Sequence, residues 1–92
     1  MKCEVFVKEY LPAIKAILAK LLFSNYSLKQ EEIARRLGIS QTLVSMYLSG
    51  ERGIKAEEIE EKREIMEIVD KIAREIANGK FLEDLQDELC LI

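Results

Sequence analysis

Very few residues along this chain can stop a helix. Its 92 residues hold four glycines, at 38, 50, 53 and 79, and one proline, Pro12. Between these points apolar side chains recur at intervals of three and four, the period of an α-helix. Ile14, Ile17, Leu18, Leu21 and Leu22 form one such stripe. Pro12 either opens that helix in its first turn or lies within a longer one that begins near Glu4. The Val5-Phe6-Val7 triplet has strand propensity, which leaves the start of the chain open.

After the polar break Asn25-Tyr26-Ser27, Ser27 and Gln30 have capping-box spacing at the start of a second helix. That helix is predicted to turn Ile33, Ala34 and Leu37 inward and to stop at Gly38, a natural left-handed terminator. Ser40 reads as the N-cap of a third helix, from Gln41 to about Leu48. Beyond the loop at 49–53, residues 56–78 give the longest helical pattern, with Ile59, Ile65, Ile68, Val69, Ile72 and Ile76 on one side. Glu57, Glu58, Glu60 and Glu61 suit the positive end of its dipole. The carboxylates from Glu57 to Glu67 read as a solvated face, not an acidic metal site. Asn78-Gly79 ends this extended fourth helix, and an amphipathic fifth over about 80–91 carries Phe81, Leu82, Leu85, Leu89 and Cys90. The expectation is one all-α domain over 1–92. Its core is expected at about 11–55, followed by an acidic bracing and dimerisation segment at about 56–92.

Composition removes most chemistry. Histidine is absent, so no imidazole serves as base or nucleophile. Two cysteines, Cys3 and Cys90, cannot build a four-ligand Cys/His zinc site. Without a glycine-rich phosphate loop either, neither a cofactor nor an enzyme activity is expected. No apolar run approaches the roughly 18 residues of a membrane span, because Lys15 and Lys20 break the most apolar stretch, 14–23. Glu4, Lys8 and Glu9 interrupt any signal-peptide core, so a cytoplasmic location is expected. There, Cys3 and Cys90 are expected as free thiols, with a disulfide joining the two ends as the alternative. The apolar ending Leu89-Cys90-Leu91-Ile92 fits docking or continuation into a longer parent.

The net charge of −3 hides a division. Residues 1–55 carry nine Lys/Arg and five Asp/Glu, a balance of +4; residues 56–92 carry five and twelve, a balance of −7. Such asymmetry hints at a nucleic-acid-facing part joined to an acidic part.

Two short helices joined through Gly38-Ile39-Ser40 are the sequence form of a helix-turn-helix, at about 29–48. A steep crossing needs a small residue at the contact, supplied by Ala34, and a turn residue tolerant of positive φ, supplied by Gly38. Ile33, Leu37, Ile39, Val44 and Tyr47 supply apolar anchors. This pattern over about 27–55 resembles the phage repressor and Cro (XRE) family. Counted from Gln30, Ala34 is fifth, Gly38 ninth, Val44 fifteenth and Tyr47 eighteenth. The layout, with Leu11-Pro12-Ala13-Ile14 before the motif, is similar to small archaeal XRE-type regulators. Some of these carry an added metabolite-sensing domain. The resemblance implies a five-helix, lambda-repressor-like DNA-binding domain, here with an extended fourth helix. An effector-sensing domain or partner outside this chain fits the same layout.

The resemblance also implies roles. Gln30 would contact a phosphate, and Gln41 would enter the major groove, where glutamine pairs bidentately with adenine. Thr42, Ser45, Met46 and Ser49 share the outward face of Gln41. Thr42 and Met46 would pack on thymine methyls, and Ser45 would bond a base edge or a phosphate. Ser49, Arg52 and Lys55 are further phosphate candidates. Arg35 and Arg36 read as surface charges or intramolecular pairs, and Leu48 as a packing residue. The implied function is a homodimeric, sequence-specific regulator on a pseudo-palindrome of double-stranded DNA. The rival is a protein-interaction module, a co-regulator or antitoxin-like partner, favoured by a recognition helix without Lys or Arg.

Overall fold

The computed structural model describes residues 2–50 and 54–89, with side chains over 10–50 and 56–85. Among the described residues six helices follow one another: α1 (Lys2–Ser24), α2 (Gln30–Leu37), α3 (Gln41–Leu48), α4 (Ile54–Glu60), α5 (Arg63–Ala77) and α6 (Leu82–Leu89). No strand occurs among the described residues, so the all-α expectation holds and Val5-Phe6-Val7 is helical. Pro12 lies inside α1, which settles the choice in favour of the longer first helix.

The core is built around α1. Ile14, Leu18 and Leu22 are fully buried, and Ala13, Ala16 and Ala19 beside them let neighbouring helices approach closely. α1 packs against α2, α3, α4 and α5. Ile33, Val44, Ile59, Val69, Ile72, Ile76 and Leu82 close the core from those helices and α6, and no buried polar residue interrupts it among the described residues. Leu48 packs on this core as expected. The acidic segment thus braces α1, and Glu57, Glu60, Glu61, Glu64 and Glu67 are exposed. Tyr10 Oη donates to Glu58 Oε1 at 3.2 Å and joins α1 to α4.

Two expectations need correction. The extended fourth helix is two helices, which raises the count among the described residues from five to six. At about 100° per residue, Ile65, Val69, Ile72, Ala73 and Ile76 fall within an arc of about 100°. On one continuous helix Ile59 and Ala56 would lie about 120° and 180° from Ile65, off that stripe. Both are nevertheless fully buried, so the chain must turn between them and α5. It does so at Lys62, whose backbone is extended at φ −99°, ψ 105°. The second correction concerns Ser27, which does not cap α2. It adopts φ 56° as α1 ends, where Leu28 N–H bonds Leu22 O at 3.1 Å. Lys29 is the N-cap of α2 and makes no side-chain capping bond.

The corner between α2 and α3 forms as the sequence dictates. Gly38 sits at φ 70°, and the N–H of Ile39 reaches back to Ala34 O at 3.0 Å. That six-residue closure satisfies a carbonyl at the end of α2. Two residues on, Ser40 Oγ accepts from Leu43 N–H at 3.1 Å and starts α3. A Cβ at Gly38 would meet nothing within 4 Å. Gly38→Ala should therefore cost only the left-handed conformational penalty, about 1–2 kcal/mol, in urea unfolding. Ser40→Ala should cost about 1 kcal/mol through the lost cap. A larger loss at Gly38 would mean that steric closeness, not φ, demands glycine.

Candidate nucleic-acid interface

α3 divides cleanly around its axis. Val44 is fully buried, while Leu43, Tyr47 and Leu48 are half-buried. Gln41, Thr42, Ser45, Met46 and Ser49 are all exposed. At about 100° per residue those five span an arc of about 140°, so they form one continuous outward face. Met46, 42% exposed, is one of three large apolar side chains left in solvent among the described residues. The face carries no charge. It offers an amide at Gln41, hydroxyls at Thr42 and Ser45, and apolar surface at Thr42 and Met46. The Ser49 hydroxyl is already committed, donating to Met46 O at 2.7 Å. Its lone pairs remain free to accept.

The N-terminus of α2 is the second part of the site. Gln30 is its first residue and half-buried, and Lys29 before it is exposed. With no side-chain cap, the first backbone N–H groups of α2 are open to an acceptor. Sequence reasoning passed over Lys29; its place directly before Gln30 at a helix start was the available signal. Lys29 has no ion-pair partner among the described residues, so its charge is available. Arg52 lies outside the described residues, and for Lys55 only the backbone, in α4, is described.

The adjacent arginines make internal bonds with part of each guanidinium, as expected for intramolecular pairs. Glu32 takes hydrogen bonds from both Arg35 and Arg36, the latter at 2.5 Å from Nε. Arg36 Nη1 also donates to Ile76 O at 2.6 Å and Ala77 O at 3.4 Å. That places a cation on the last carbonyls of α5, its negative end. Arg35 lies over the Phe81 ring, 5.3 Å from its centroid, a cation–π contact. Both side chains thus tie α2 to α5 and α6.

Residues 25–61 match the family model for the helix-turn-helix. These residues form an XRE-type helix-turn-helix. No curated protein and no solved structure matches the chain significantly. The match covers α2, α3 and α4 and takes in the exposed face of α3. An XRE-type helix-turn-helix is a DNA-binding unit, and the chain carries one on a surface whose polar residues face outward. No described helix is long and apolar enough to cross a membrane.

Two titrations follow from this packing. The hydrogen bonds from Arg36 and Arg35 hold the Glu32 carboxyl below its usual pKa. Its contribution to stability is present above the usual carboxylate pKa and is lost as pH falls through the lowered value. Burial pushes the Tyr47 phenol up. Its contribution is complete below the usual phenol value, about 10, and is lost as pH rises through the raised one. Thermal unfolding followed against pH should show both limbs. Glu32→Gln should flatten only the acid limb and Tyr47→Phe only the alkaline one; an acid limb unchanged in Glu32→Gln would contradict the pairing.

Proposed function

We propose that the chain is a sequence-specific, double-stranded DNA-binding transcriptional regulator that acts in the cytoplasm as a homodimer. The observation that carries this reading is the outward face of α3, polar and uncharged, inside the matched helix-turn-helix. Gln41, at the tip of α3, reads a base edge through its amide, adenine being the best fit. Thr42 and Met46 pack on thymine methyls, and Ser45 bonds a base edge or a phosphate. Gln30, Lys29 and the open N–H groups of α2 hold the backbone, joined by Ser49 as acceptor through a bridging water and by Arg52 and Lys55.

Dimerisation follows from reach and charge. An eight-residue α3 is about 12 Å long and covers only a few base pairs. With no cation on α3 and few beside it, one copy gains little from counterion release. Two copies related by a two-fold axis place their recognition helices about 34 Å apart, one turn of DNA. The acidic 56–92 segment is the part suited to face the second copy rather than the duplex.

A second reading is favoured by Met46, an exposed apolar residue on a face without charge. In it the same face meets a protein, as in a co-regulator or antitoxin-like module. Gel shift of the pure protein on mixed genomic fragments separates the two, since only the first reading predicts retardation. Within the first, Gln41→Ala should weaken specific binding by about 1–3 kcal/mol per half-site and spare random duplex. Equal losses on both would sink base reading. Lys29→Gln and Arg52→Ala should each weaken both kinds of duplex and lower the slope of affinity against salt by about 1. An unchanged slope would remove that residue from the phosphate contacts.

A further inference from the structure

Behind the helix-turn-helix lies a cavity of about 190 Å³ between α1, α2 and the start of α6. Lys15 of α1 and Arg35 and Arg36 of α2 line it, with Phe81 and Glu83 on the α6 side and Gly38 in its wall. Three cations thus converge on one small space in a protein whose net charge is −3. Glu32, shared by the two arginines, offsets one of these charges, and Glu83 offsets a second. One positive charge remains. Lys15 is half-buried, and no carboxylate among the described residues lies within ion-pair distance of it. A lysine and two arginines lining one small cavity favour an anion there.

We propose that this cavity binds a compact oxyanion, a phosphate or small carboxylate group, held by Lys15 and the outer N–H groups of Arg35 and Arg36. The geometry selects the class. Guanidinium forks match two oxygens of one phosphate or carboxylate, and the lysine adds a point charge from the facing helix. The volume exceeds the roughly 30 Å³ of one water and is below the roughly 300–1,000 Å³ typical of larger ligand pockets, which fits a small group better than a whole nucleotide. Phe81, under Arg35, holds that guanidinium at the cavity edge. Because Gly38 forms part of the wall, the anion sits against the turn that sets α3. This site is separate from the α3 face and does not depend on its reading DNA.

The test uses inorganic phosphate and malonate against sodium chloride of equal ionic strength, with the full chain. Both oxyanions should raise the melting temperature above the chloride value with saturation at millimolar concentration, and less in Lys15→Gln, because a bound anion favours the folded chain whereas general exclusion from the surface neither saturates nor depends on Lys15. Phosphate titration followed by amide NMR should shift Gly38 and Phe81. Phosphate being favoured over malonate, or the reverse, assigns the head group. Lys15→Gln, which removes the charge from a half-buried helical position, should weaken binding about tenfold. Equal effects of chloride and oxyanions would overturn the proposal. So would phosphate binding that survives Lys15→Gln and disappears in Lys29→Gln, since that places the anion at the start of α2.

Discussion

Burial of one face of α1 is the constraint on which the rest of the structure depends. Ile14, Leu18 and Leu22 are fully buried, and the helices that carry and support the interface, α2 to α5, all rest on α1. α2 and α3 have only eight residues each, too few to hold their shape in water unaided. Their geometry is therefore borrowed from α1 through Ile33, Leu37 and Val44. The outward face of α3 can be polar and uncharged because its shape is held from behind.

The second constraint is local. Gly38 turns the chain through a left-handed step, and Ser40 starts α3 at once with its own cap. Between them lies a single residue, Ile39, half-buried against the core. The direction of α3 thus follows from one φ value, one hydroxyl and one apolar anchor. Arg36 adds a fastening in the last turn of α2. Its guanidinium binds Glu32 and the last carbonyls of α5 together, so the helix-turn-helix is held to the acidic segment by charge as well as by apolar packing.

Much of this was legible from residue order. The stop at Gly38, the cap at Ser40 and the inward set of Ile33, Ala34, Leu37 and Val44 each rest on local chemistry, which sequence carries directly. The outward set on α3 followed from the same periodicity. What was misread required tertiary information. The 56–78 pattern looks like one stripe until Ile59 and Ala56 are placed at their true angles, when it becomes two helices burying different faces. Ser27 has the right spacing for a capping box, but the end of α1 uses it for a left-handed turn first. The partners of Arg36 lie some forty residues away at Ile76 and Ala77, beyond the reach of any local pattern.

The central question is whether the outward face of α3 reads sequence. Selection of bound fragments from a random duplex pool by the pure chain tests that most directly. The expected result is enrichment of a pseudo-palindrome with two half-sites about one helical turn apart, each with a preferred base at one fixed position that disappears in Gln41→Ala. Recovery of a pool no different from the input, at salt low enough to allow general duplex binding, would contradict it.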